Sequence, residues 1–520
     1  AERATMASRT LLAPLLALGF ASLSQAVWKG HREPNRIKMS KKRLKREDVD
    51  YVVPLDREIL EIGLEHAVEF QAPLGRSHCK KKEGYECIAM VTLASFVRPN
   101  KKGPWQEGTT GEVLDERVSA CPGIFAPSES ACNFFCGVLY NTAYHVNLLK
   151  DANRRKGSKI RYDLIVMHDE SIEGKDLQLI RDMGARTLLI TNSLKHLICR
   201  GYYKDGKHTL WMSRIKDPVQ YCTQLDFKKD FVLPGMQMIY LQSLKLTALT
   251  LTEYAATVQV DIDMQIRSID YVDIQVGYFL KHPEVELISE TGYAPVSAFH
   301  YVMATGKELT KIWIEDLAEG FDEHTGWPGD GKPSKLTRDG VEHVDIDWMF
   351  IGNDRDQGLL TDIFQIKRDS FYARVRPMNE SFDASKLEKM KLLPTSLMDE
   401  LDGIPKYNHC EGKDNKPWGN NVCTEDNMDP PSGVTKCDIW SRRIEFLSRP
   451  ELLTELLSGS DNEFVKQCTA KIKTNHERCA NFAPQFCDHP EEVDRTVKEG
   501  WIPHPRYDGH ENNPHTHNKR

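Results

Sequence analysis

The triplet Asp-Ile-Asp occurs twice in the 520-residue chain: Asp261 and Asp263 in "VQVDIDMQ", and Asp345 and Asp347 in "EHVDIDWM". Carboxylates at i and i+2 leave a regular strand on one face, and in a turn their oxygens can converge. Converging hard oxygens suit Mg²⁺ or Mn²⁺, and Mn²⁺ also accepts an imidazole. Taken alone, either pair is more often the solvated end of a strand than a metal site. Two further runs gather reactive side chains: "NDRDQGLLTDIF", with Asp356 and Gln357, and "HCEGKDNKPWG", with His409, Gly412 and Lys416. Each has a bland counterpart. Asp356 suits a helix N-cap, His409 a loop beside Cys410, and Trp418 the packing of that loop.

The elements that must carry these residues show as periodicity. "YECIAMVTLASF", "YDLIVMHD", "ARTLLITN" and "ATVQVDID" are compact apolar runs of strand length. "FFCGVLYNTAYHVNLLKDANRRKGSKI" repeats apolar residues at helical spacing and is stopped by Gly157. "GKDLQLIRDMG" reads as a helix closed by Gly184, and "IYLQSLKLTALTLTEY" as helical. Strands alternating with helices predict an α/β fold, a mostly parallel sheet with helices on both faces. In such sheets ligands bind beyond the carboxyl ends of the strands, where Asp261 and Asp263 fall. No internal repeat is present.

The run "KLTALTLTEYAATVQVDIDMQIRSID" resembles the core of glycosyltransferase family 8, the glycogenin-like enzymes with a GT-A fold. The family's Lys-Leu, Leu-Thr-x-Tyr, Asp-x-Asp and Ile-Asp fall on Lys245, Leu251 to Tyr254, Asp261 with Asp263, and Ile269-Asp270. Asp356, Gln357 and Gly358 match its Asp-Gln-Gly-Leu-Leu helix start. His409, Gly412, Lys416, Pro417 and Trp418 match its His-x-x-Gly…Lys-Pro-Trp signature. Three motifs in order, over roughly residues 85–420, are far more specific than any one.

The resemblance implies a GT-A-like α/β fold and a retaining transferase moving a hexose from a UDP-sugar to a glycan, glycolipid or protein hydroxyl. It implies Mn²⁺ or Mg²⁺ held by Asp261, Asp263 and His409, and no ligand role for Asp345 and Asp347. It implies donor contacts from Thr92 and Leu93 at the nucleobase, Phe134 in place of a base-stacking Tyr, Lys245, Gly412 and Lys416. Phe134 is equally a core Phe, and Lys245 equally a surface helix lysine. Asp356 or Gln357 would lie nearest the anomeric carbon, with either a carboxylate nucleophile or a front-face attack. The physics agrees: a metal neutralises a leaving diphosphate, Lys416 adds a positive charge, and Gly412 lets backbone approach closely. The chain also departs from the family. An insertion over about residues 96–131 splits the nucleobase site, and Ile262 stands where a small residue is usual. One extra residue precedes Lys416, and "APVSAFHYVM" replaces an Asn-x-Gly stretch. These departures leave a second reading, a degenerate relative that binds nucleotide sugar or glycan without turnover.

Bulk properties bound the rest. A net charge of −7 without a dominant basic tract argues against nucleic acid as a partner. Hydrophobic content of 40% is enough for a buried core. From Met6 the chain has the pattern of a secretory signal: Arg9, an apolar run Leu11–Leu23, then small residues to Ala26. Left uncleaved, the run would be a membrane anchor. All 13 cysteines lie at or after Cys79, so disulfides are expected, notably among the six from Cys410 to Cys487. Asn379-Glu380-Ser381 is a glycosylation sequon. The expected layout is a signal or anchor at 1–26, a polar stem at 27–84, a transferase domain at 85–420, and a Cys-rich appendage with a His-rich tail at 421–520. The expected compartment is the Golgi or ER lumen, or the exterior after secretion. The sugar, the acceptor and the oligomeric state are not written in the sequence.

Overall fold

The computed structural model describes residues 54–79, 84–95, 129–169, 172, 174–203, 242–291, 295–297, 299–321, 326–327, 336–338, 341–343, 355–375, 390–410, 417–418, 436–458 and 462–482. The signal-like run, most of the insertion, Asp345, Asp347, Asn379, Gly412, Lys416 and the His-rich tail lie outside these residues. No helix among the described residues is long and apolar enough to cross a membrane.

The chain opens with helix α1 (Arg57–Glu65), capped by Asp56, whose side chain accepts the Glu58 N–H. Strand β1 (Glu86–Ala94), helix α2 (Glu129–Arg154), strand β2 (Ile160–His168), helix α3 (Gly174–Asp182), strand β3 (Arg186–Leu189) and helix α4 (Asn192–Tyr203) follow. The glycines expected to stop α2 and α3 do so at positive φ: Gly157 at +84° and Gly184 at +106°. The helix expected around Lys245 is instead a short 3₁₀ helix, Leu244–Thr250, with all seven residues buried. Thr250 Oγ1 donates to the Thr247 carbonyl, and hydroxyl groups that bond nearby backbone compete with regular α-helix.

Strands β4 (Ala256–Val260) and β5 (Met264–Ile266) come next, then helix α5 (Ile269–Lys281), strands β6 (Leu287–Thr291) and β7 (His300–Met303), and helix α6 (Lys307–Glu319). A small hairpin, β8 (Leu336–Arg338) and β9 (Val341–His343), precedes helix α7 (Asp356–Leu360), which continues as a π-helical turn, Thr361–Lys367. Strands β10 (Phe371–Val375) and β11 (Lys391–Leu392), helix α8 (Thr395–Asp402), strand β12 (Tyr407–His409) and helices α9 (Lys436–Phe446), α10 (Leu452–Leu456) and α11 (Glu463–Phe482) complete the described chain.

The main sheet has eight described strands in the order β11-β10-β6-β7-β4-β1-β2-β3. Only β7 runs against its neighbours. The fold is therefore the mostly parallel α/β sheet flanked by helices that the alternating pattern implies. Alternate residues of β1 feed two cores. Ile88 and Met90 join α2, α5 and the C-terminal helices on one face, and Ala89 and Val91 join α1, α4, α6 and α7 on the other. The Cys-rich appendage is stapled to the first of these faces. Cys136 of α2 is disulfide-bonded to Cys468 of α11, and Phe135 stacks on Phe464 at 5.7 Å. Cys468 is one of the six cysteines expected to be oxidised, but its partner lies outside that group.

Candidate functional site

β4 delivers Asp261 to the carboxyl edge of the sheet. Asp261 N–H donates to the Phe299 carbonyl (3.2 Å), and Met264 N–H donates to the Asp261 carbonyl (3.0 Å). This turn carries Asp261 and Asp263 together and sends the chain back as β5. β12 pairs antiparallel with β5, placing His409 level with Met264, and Cys410 N–H donates to the Asp263 carbonyl at 3.0 Å. The backbones of Asp263 and His409 are thus neighbours although far apart in sequence. The His409 side chain lies outside the described structure.

Three side chains on one face of α2 hold β5 in place. Asn141 Nδ2 donates to the Met264 carbonyl (3.1 Å) and Tyr144 OH to the Ile266 carbonyl (3.0 Å). Ile266 N–H donates to His145 Nε2 at 3.3 Å, so the proton of His145 belongs on Nδ1, which faces the Asn141 carbonyl at 3.0 Å. Burial lowers this imidazole to about 4, so it stays neutral. Polar residues at i, i+3 and i+4 in an apolar helix were the available sequence signal for these supports.

Lys245 lies at the centre of the site. Its ammonium is 2.7 Å from Asp261 Oδ1 and 3.4 Å from Asp356 Oδ2, and it is almost wholly buried. Burial works against its charge, but the two carboxylates more than offset this and raise its pKa above the ordinary value. Asp356 is fully buried at the start of α7, and its Oδ1 accepts the Gln357 N–H at 2.9 Å. Burial pushes Asp356 up to about 6, against the pull of Lys245. Gln357 is half-buried and donates its Nε2 to the Val296 carbonyl at 2.8 Å.

Tyr301 is a residue that motif reading misses. It lies on β7, opposite Gln259 of β4, and is fully buried. Burial raises its phenol well above the ordinary value, and the Asp356 and Asp261 carboxylates add to the shift. Its hydroxyl and Gln259 Oε1 have no hydrogen-bond partner among the described residues. Buried polar groups are normally satisfied, so these two mark an uncompensated polar spot close to Asp261 and Asp356. No sequence signal pointed to Tyr301, because only the antiparallel insertion of β7 brings it here.

Of the remaining expected donor residues, Gly412 and Lys416 lie outside the described residues, Thr92 and Leu93 lie near the end of β1, and Phe134 lies on α2. Val91 is level with Gln259, and continuing that parallel register sets Leu93 beside Asp261. Thr92 is buried next to it, its hydroxyl without a partner among the described residues. Phe134 meets Trp418 edge-on at 6.2 Å. Trp418 is itself buried against α2 and packs near Phe446 at 6.0 Å.

Among the described residues no three His, Cys, Asp or Glu side chains form a metal-binding cluster. The donor set nonetheless suits a divalent ion. Two carboxylates share one tight turn, Lys245 engages Asp261 through Oδ1, and a histidine-bearing strand pairs with the strand that follows the second acid.

No family model matches the chain, and no curated protein matches it. Solved structures do. The apo structure of the bifunctional glycosyltransferase WbbM aligns at 8% identity and a TM-score of 0.32, over 77% of this chain and 54% of that one. This chain thus spans about half the length of that protein. The galactosyltransferase LgtC, in complex with donor and acceptor sugar analogs, aligns at 9% identity and a TM-score of 0.27, over 64% of this chain and 90% of that one.

Proposed function

We propose that the chain is a retaining, metal-dependent transferase of the glycosyltransferase 8 type with a GT-A-like donor site. It would move a hexose from a UDP-sugar to a glycan, glycolipid or protein hydroxyl in the secretory pathway. The observation that carries this reading is the buried Lys245 joined to both Asp261 and Asp356. Two motifs read separately in sequence meet there in one charge set, with a third, at His409, in register alongside.

Asp261, Asp263 and His409 would hold the divalent ion, which when bound neutralises the charge of a leaving diphosphate as a Lewis acid. Lys245 fixes the Asp261 carboxylate from behind and keeps Asp356 ionised at neutral pH. Asp356 itself has no exposed surface, so its work in this geometry is to hold Lys245 and the Gln357 backbone. Gln357, half-buried and tethered to Val296, is the member of the pair with surface to offer a sugar.

The test is a hydrolysis screen across nucleotide sugars, with and without Mn²⁺, for the wild type and Asp261→Asn. Mn²⁺-dependent release of UDP by the wild type alone is the expected result. The full burial of Asp356 favours one alternative, binding of nucleotide sugar without turnover. Tight UDP binding with no hydrolysis of any donor would select that alternative.

A further inference from the structure

The β5–β12 ribbon that brings Asp263 and His409 together is three residues long on each side. So short a two-stranded unit does not hold its shape alone. Its two middle residues, Gln265 and Asn408, stand opposite each other and are almost wholly buried. Both send their amides to the end of α9. Gln265 Nε2 donates to the Phe446 carbonyl (3.2 Å), and Asn408 Nδ2 donates to the Arg442 carbonyl (2.7 Å). Tyr140 OH, from α2, donates to the same Phe446 carbonyl at 2.7 Å. The last four carbonyls of a helix lack intrahelical donors, so Gln265 and Tyr140 satisfy the final carbonyl of α9, Phe446, and Asn408 adds a bond to a carbonyl one turn earlier. Just past β5, Arg267 pairs with Glu445 of α9 at 2.5 Å, largely shielded from water.

The appendage also holds the chain beyond the ribbon. Asn475 Nδ2 of α11 donates to the Pro417 carbonyl at 2.9 Å. Trp418 fills the notch left by Gly137 of α2, where an added Cβ would lie 2.2 Å from its ring. The Cys136–Cys468 bond ties α11 to α2, the helix that grips β5 from the other side.

We infer that the Cys-rich appendage is a working part of the site, and that Gln265 and Asn408 are positioning residues that set the spacing of Asp263 and His409 through α9. The inference rests on the proposed metal site. β12 has a second anchor in Tyr407, whose hydroxyl donates to Glu290 Oε2 at 2.8 Å, but without α9 the middle of the ribbon loses both of its amide anchors.

The test is Mn²⁺ binding to the full chain, read by electron paramagnetic resonance without any substrate. Gln265→Met and Asn408→Leu keep the volume but remove the donors. Each should weaken Mn²⁺ binding by about tenfold or more, as loss of outer supports typically does, with near-UV circular dichroism unchanged. Cys136→Ser combined with Cys468→Ser leaves every ribbon contact in place and should weaken binding several-fold. If folded ribbon variants bind Mn²⁺ as the wild type does, the inference is overturned and the metal site stands. If the wild type binds no Mn²⁺, the metal reading falls and takes the inference with it. Should the ribbon variants not fold, the serine pair decides alone, and wild-type affinity in it overturns the inference.

Discussion

Lys245 and Asp356 are almost wholly removed from water; Asp261 and Asp356 together hold the Lys245 charge, and Lys245 opposes the rise that burial gives Asp356. Removing one partner of a buried ion pair strands the other charge and typically costs about 3–5 kcal/mol. Lys245→Met should therefore lower the melting temperature sharply and abolish donor hydrolysis. Adding Asp356→Asn should recover most of the melting temperature but none of the activity. Simple addition of the two losses in the double variant would show that the residues are not coupled. Tyr301 makes a different prediction. Its hydroxyl is buried without a partner among the described residues, so Tyr301→Phe removes a desolvated group and should leave the melting temperature unchanged or raise it. A fall of several degrees would mean that an ordered water links Tyr301 to Asp356.

Helix α2 serves as a hub: Asn141, Tyr144 and His145 support β5, and Phe135 and Cys136, a turn or more earlier, receive α11. Gly137 seats Trp418. An added methyl would meet the Trp418 ring, which is buried and cannot swing clear. Gly137→Ala should destabilise the chain by roughly 1–3 kcal/mol, the usual cost of overpacking, and shift its tryptophan emission. A neutral outcome would show that Trp418 is loosely seated. Helix α9 makes a pH prediction. Burial raises Glu445 from 4.5 to about 7, against the pull of Arg267. The folded chain then keeps a proton that the unfolded chain releases. The stabilising contribution is present below pH 4.5 and lost as pH rises through about 7. Glu445→Gln should gain stability relative to the wild type from near pH 5 to near pH 8, by at most on the order of 3 kcal/mol. Denaturant titrations across that range measure it, and a flat difference would mean an ordinary carboxylate.

At the scale of the whole molecule, the appendage shares a core with the sheet. Phe446, Leu453, Phe464 and Ile472 belong to the same buried cluster as Ile88 and Met90 of β1. A chain ending at residue 420 would bare the apolar face of α2 and should elute as aggregate in size-exclusion chromatography. A monomer melting like the full chain would show the appendage to be dispensable. The sequence by itself determined β1 to β4, α2 and α3, since periodicity and the glycine stops act over a few residues. It also offered Asp261 with Asp263, neighbours along the chain, as a candidate pair, and through the family resemblance the Asp356 and His409 motifs. Only the tertiary structure decided that Lys245 lies between Asp261 and Asp356, that Tyr301 lies close to them, and that Gln265 and Asn408 lean on α9. It also decided the 3₁₀ form of the Lys245 segment and a disulfide across 332 residues. The reason is physical. Local backbone preferences leave a trace in the order of residues, whereas burial and charge pairing depend on which distant segments the sheet brings face to face, and no spacing along the chain records that.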